Sequence, residues 1–137
     1  MSSNQTVTPE MENQIMDSNH VTVVYSWTAQ PGKLEELKAI YAEVTAQMEA
    51  NEPGAQEVQV HVSEDENRLY VRDEFADASA VGFHLGTTAA GHFQDLLAIA
   101  TPGTFYFLGE IPDEMKAAAA EMGLPAEYGN HMAGFTR

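Results

Sequence analysis

At Glu52-Pro53-Gly54 the hydrophobic period of the chain switches from helical to extended. Before it, Leu34, Leu37, Tyr41, Val44 and Met48 recur at spacings of three and four, the buried stripe of a helix from about Lys33 to Asn51. Pro53 cannot continue that helix, and Gly54 permits the reversal. After it, Val58, Val60 and Val62 alternate with Gln59, His61 and Ser63. Glu64-Asp65-Glu66-Asn67 reads as a hairpin loop. The return strand puts Leu69, Val71, Asp73 and Phe75 on one face, and Tyr70, Arg72 and Glu74 on the other.

The remaining segments fall around this unit. Val21 to Trp27 is a first strand, with Val21, Val23, Tyr25 and Trp27 on one face, ended by Pro31-Gly32. Asp77 caps a second helix with Val81, His84 and Leu85 inward. Gly86-Thr87-Thr88 is expected to kink or restart it, with Thr88 capping a continuation from Ala89 to about Ala98 that turns Phe93, Leu96 and Leu97 to the core. Pro102-Gly103 is a turn, and Thr104 to Leu108 a fourth strand. After Pro112, Asp113 caps a short Ala-rich helix that stops at Gly123, and Leu124 to Arg137 reads as irregular. Residues 1–20 are polar and without sustained period, and are expected to form a mostly disordered arm. The expected division is therefore the arm, a domain over residues 21–109, and a C-terminal extension over residues 110–137.

Strand, helix, hairpin, helix, strand is the split βαβ order: an α+β, ferredoxin-like βαββαβ antiparallel sheet with both helices on one face. The other face would carry Val24, Tyr70, Tyr106 and Leu108 beside His61, Arg72 and Glu74, too apolar to leave wet. A second copy packed sheet to sheet covers it, so a symmetric homodimer is expected; the alternative is a monomer whose tail folds over the sheet. Only Lys33, Lys38, Arg68, Arg72, Lys116 and Arg137 oppose 21 acidic residues, a formal net charge of −15. Nucleic acid and anionic membrane are poor partners for such a field. The absence of cysteine excludes disulfides, thiolate metal sites and thiol nucleophiles. No apolar run approaches membrane-spanning length, and the reading is of a soluble, cytoplasmic protein.

Pro31-Gly32-Lys33, Glu52-Pro53-Gly54, the step Asp73-Glu74-Phe75 and the run from Ala80 through His84-Leu85 to Thr87 together resemble the antibiotic biosynthesis monooxygenase domain, over about Val21 to Leu108. The resemblance implies a dimeric α+β barrel. It also implies membership among cofactor-independent quinol and polyketide oxygenases, haem-degrading enzymes and an isomerase. The family step is usually Glu-x-Trp, where this chain has Asp73-x-Phe75. The haem-degrading branch resembles a pattern of Asn, Trp and His at positions held here by Tyr25, Phe75 and Gln94, and an amide is a poor iron ligand beside imidazole. His92 lies two residues from Gln94.

The face toward the helices carries Tyr25, Trp27, Leu69, Val71, Asp73 and Phe75, an aromatic and apolar wall with one carboxylate, and His84 lies on the helix that crosses it. The expected arrangement pairs Asp73 with His84, the carboxylate orienting the imidazole that takes the proton. Tyr25, Trp27, Phe75, His92 and Gln94 would contact substrate. The same pair also reads as a buried structural hydrogen bond without turnover. A metal held by Asp73, His84 and His92 is disfavoured by the eight-residue gap between the histidines across a kink. The expected function is oxygenation of a small phenolic or quinol-type substrate without flavin, haem or metal. A non-catalytic dimeric barrel that binds an apolar small molecule, and an isomerase of a small carbonyl compound, are the alternatives.

Overall fold

The computed structural model describes residues 19–137; the arm expected over residues 1–20 falls almost wholly outside them. Strand β1 (Val21–Ala29) is followed by helix α1 (Leu34–Asn51), the hairpin β2 (Ala55–Ser63) and β3 (Arg68–Phe75), helix α2 (Ala78–His84), a π-helical turn (Leu85–Ala89) and helix α3 (Ala90–Ile99). Two short strands, β4 (Ala100–Pro102) and β5 (Phe105–Leu108), then helix α4 (Asp113–Glu121) and strand β6 (Ala126–Gly129) complete the chain. The sheet runs β2-β3-β1-β5-β6, with β4 also paired to β1. This is the α+β, ferredoxin-like arrangement the element order predicts, with β1 at the centre, antiparallel to β3 and β5.

Every second residue of β1 from Val21 to Ala29 is buried, and so are Leu69, Val71, Asp73 and Phe75 of β3. The register sets Tyr25 beside Val71 and Val23 beside Asp73. The period-of-two pattern therefore places both rows on the face that α1 covers with Leu34, Leu37, Tyr41, Val44 and Met48. Asp77 caps α2 as expected, its side chain accepting from the Ala80 amide at 2.9 Å. On the opposite face Tyr70, Tyr106 and Leu108 are exposed by more than two-fifths. Arg72 links Glu57 and Glu74 there, and His20 and Thr22 also bond Glu74.

The structure departs from the sequence reading at four places. The chain does not break at Gly86-Thr87-Thr88; it widens into the π turn, and Thr88 is a buried mid-helix residue rather than a cap. The wider turn shifts the phase of α3, so His92, Leu96 and Ile99 are buried while Leu97 is 39% exposed. Asp113 is the first helical residue; Pro112, fixed in extended geometry, takes the cap position. Residues after Leu124 are not all irregular, because β6 adds to the sheet edge parallel to β5. Among the described residues no helix is long and apolar enough to cross a membrane.

Candidate active site between sheet and helices

Sheet, α1, the α2–α3 helix and the C-terminal extension line a cavity of about 40 Å³. Val23, Tyr25, Trp27, Asp73, Phe75, Phe105 and Phe107 line it from the sheet. Val81, His84, Leu85, Ala89, His92, Phe93 and Leu96 line it from the second helix, Tyr41 and Val44 from α1, and Met122 and Leu124 from the extension. Tyr25 and Phe105 stack with ring centroids 4.3 Å apart. Of the residues expected at the site, Tyr25, Trp27, Asp73, Phe75, His84 and His92 all reach this cavity. Gln94 does not: it is exposed, turned outward by the phase shift of the π turn.

The expected Asp73–His84 hydrogen bond is not formed. His84 Nδ1 instead meets Glu52 Oε2 at 2.9 Å, across 32 residues of sequence. Glu52 is 3% exposed. Burial alone would raise its pKa, but the hydrogen bond from His84, with the Thr88 hydroxyl nearby, outweighs that and holds it below the ordinary range. An ionised carboxylate only accepts, so Nδ1 carries the proton and Nε2 is the ring's basic nitrogen. Nε2 makes no hydrogen bond among the described residues, and the imidazole, 5.5 Å from the Phe75 ring, forms part of the cavity wall.

Local structure explains the contact. Gly54 lets the α1–β2 turn lie against α2 so closely that a Cβ there would come within 2.5 Å of Ala80 Cβ. That seats Glu52, at the C-cap of α1, beside the last turn of α2. A sequence signal for it exists: an acidic residue at a helix C-terminus opposes the macrodipole, and such a placement calls for a compensating partner. The reading of Glu52-Pro53-Gly54 as a helix stop alone left this out.

Asp73 belongs to a different network. Trp27 Nε1 donates to Tyr41 Oη at 2.9 Å, Tyr41 to Tyr25 Oη at 3.2 Å, and Tyr25 to Asp73 Oδ2 at 3.2 Å. The carboxyl is 1% exposed, and its Oδ1 has no hydrogen-bond partner. Burial pushes its pKa up, against the opposing pull of His84 and the Tyr25 hydroxyl, to about 6. Burial and the Asp73 charge raise the Tyr25 phenol well above its ordinary value. His92 Nε2 donates to Gln47 Oε1 at 2.9 Å. Among the described residues no three His, Asp or Glu side chains are grouped to hold a metal ion.

Residues 20–96 match the family described as antibiotic biosynthesis monooxygenase. No curated protein sequence matches the chain. Among solved structures, MupZ from Pseudomonas fluorescens superposes with a TM-score of 0.74 at 18% identity, covering 87% of this chain and 95% of that one. SnoaB from Streptomyces nogalater, described as a cofactor-independent oxygenase, superposes with a TM-score of 0.57 at 22% identity, covering 69% of this chain and 95% of that one. At these identities the likeness is one of fold.

Proposed function

The chain belongs to the antibiotic biosynthesis monooxygenase family, and from that premise we propose that it oxygenates a small phenolic or quinol-type substrate without flavin, haem or metal. One observation carries the reading: an imidazole whose Nδ1 is fixed by a buried carboxylate, and whose Nε2 is left without a hydrogen bond among the described residues, lines an aromatic, apolar cavity. Nε2 takes the phenolic proton, and the phenolate passes one electron to dioxygen. The two radicals combine to a ring peroxide, which collapses to a quinone and water. One oxygen atom enters the ring and the other leaves as water, so no external reductant is needed. Tyr25, Trp27 and Phe75 hold the ring flat and keep water from the radical pair. The exposed sheet face of Tyr70, Tyr106 and Leu108 is covered by a second copy in the working dimer.

Oxygen uptake with a panel of hydroquinones tests this. His84→Gln is expected to lower the rate by at least about a hundredfold with the fold intact by circular dichroism. Turnover unchanged in that variant removes the mechanism.

A second reading has its own support. Asp73 and His84 sit on different walls with separate partners, so one can donate a proton while the other accepts. That pair suits isomerisation of a small neutral carbonyl compound through its enol, which consumes no oxygen. Turnover that persists in an anaerobic chamber would select it over oxygenation.

A further inference from the structure

The cavity is too small for the kind of ligand proposed for it. Its volume of about 40 Å³ holds roughly two or three waters, whereas a cavity that accepts benzene measures about 150 Å³. Some part of the wall must move, and the walls are unequal. The sheet and α1 wall is joined by the Trp27–Tyr41–Tyr25–Asp73 chain. The helix wall is fixed by His84 to Glu52 and by His92 to Gln47. The extension that brings Met122 and Leu124 makes no side-chain hydrogen bond or ion pair to the rest of the protein among the described residues. It holds by β6, four residues at the sheet edge in the weaker parallel pairing, and by apolar contacts such as Met115 against Gly82.

The way Met122 and Leu124 enter the cavity is itself specific. Gly123 N–H donates to Ala120 O at 3.0 Å and Leu124 N–H to Ala119 O at 3.2 Å, a Schellman close to α4. It needs Gly123 in the left-handed region, and φ there is +77°. The reversal turns Leu124 back onto the cavity beside Met122, both outside the segment that matches the family.

We propose that Met122 and Leu124 are specificity-determining residues, and that the segment from α4 to β6 lifts from the cavity to admit a ring-sized neutral ligand. The inference rests on the cavity being the binding site of the reading above, and on neither its oxygen chemistry nor its base. Met122 and Leu124 set the depth available to a ring; the Gly123 close sets how readily they withdraw.

Two measurements on the full chain test it together. The Phe105 and Gly109 amides donate to Pro125 O and Gly129 O, at 2.7 and 2.8 Å, acceptors that leave when the segment lifts. Their native-state hydrogen exchange should be at least about a hundredfold faster than that of the central strand amides at Val23 and Val71. Gly123→Ala, which touches no ligand, should speed it further. Fluorine NMR then follows binding of para-fluorophenol and of a fluorinated naphthol. Met122→Ala and Leu124→Ala should each improve the naphthol-to-phenol affinity ratio by about tenfold. Where either truncation fails to fold, Met122→Val supplies the intermediate step in volume. Exchange at Phe105 and Gly109 only by global unfolding, or an affinity ratio unmoved by every foldable variant, overturns the proposal. A protein that opens and selects by size yet consumes no oxygen would remove the oxygenase reading and leave this inference standing.

Discussion

Asp73 shows how much of the site rests on single atoms. Its pKa of about 6 in the folded protein exceeds the ordinary 3.8 because the carboxylate is buried with Oδ1 unpartnered. The folded state therefore binds this proton more tightly than the unfolded chain does. The stability that the protonated form contributes is complete below about pH 4 and is lost as pH rises through about 6, a difference of roughly 3 kcal/mol. Asp73→Asn removes that pH-dependent part. Relative to the wild type, the variant should gain on the order of 1–3 kcal/mol between about pH 4 and pH 8, with a plateau above about 7. Urea denaturation of both proteins at the two ends of that range measures it, and a difference that does not change with pH would mean Asp73 is not buried as a charge. Glu52→Gln addresses the other network. The amide can meet His84 Nδ1 with its oxygen or with its NH2, so it no longer fixes one tautomer. Nitrogen NMR of the imidazole should show the fixed Nδ1–H tautomer of the wild type give way to a mixture. Alternation along β1 and β3 made Tyr25, Trp27, Asp73 and Phe75 legible from sequence as one wall. It could not reveal which carboxylate His84 meets, because Glu52 lies 32 residues away in a segment whose local pattern says only that a helix ends.

At the scale of elements, the site depends on how closely the α1–β2 turn approaches α2. Gly54 is the point of contact, and an added Cβ would sit 2.5 Å from Ala80 Cβ, inside any tolerable distance. Gly54→Ala should cost about 1–3 kcal/mol through this overpacking. It should also lengthen the Glu52–His84 contact, visible as a weakened Nδ1–H signal in the same NMR experiment. Stability lost with that signal intact would show the strain absorbed elsewhere, in α2 itself. The helix after His84 was legible as an element, but its facing was not. Gly86-Thr87-Thr88 carries two residues poor in helix propensity beside a glycine, which reads as a break. The chain instead keeps its helix by adding a residue to one turn, which brings Thr88 toward Glu52 and rotates Gln94 out and His92 in. Strand β6 carries no sequence signal because Ala126-Glu127-Tyr128-Gly129 has neither length nor β-branched residues; its pairing comes from β5, which a sequence pattern does not show.

For the whole molecule the unresolved demand is the outer face of the sheet, where Tyr70, Tyr106 and Leu108 surround the Arg72–Glu74 cluster. Two copies meeting there would bury this apolar surface, but each brings a formal charge of −15. The apolar contact favours association at short range, and the net charge opposes it over longer distances. Salt distinguishes these contributions, since the Debye length falls from about 30 Å at 0.01 M to about 10 Å at 0.1 M while the apolar contribution barely changes. A sheet-to-sheet dimer should therefore tighten as salt is added over that range, opposite to an interface held by ion pairs between copies. Sedimentation equilibrium at a series of sodium chloride concentrations measures the trend. Leu108→Lys places a charge on this apolar outer face and should shift the population to monomer at every salt concentration, with the cavity and its His84–Glu52 pair unaffected because they lie across the sheet. A dimer that loosens with salt would mean that the Arg72, Glu57 and Glu74 cluster pairs between copies rather than within one, and a monomer at all concentrations would remove the sheet-to-sheet assembly.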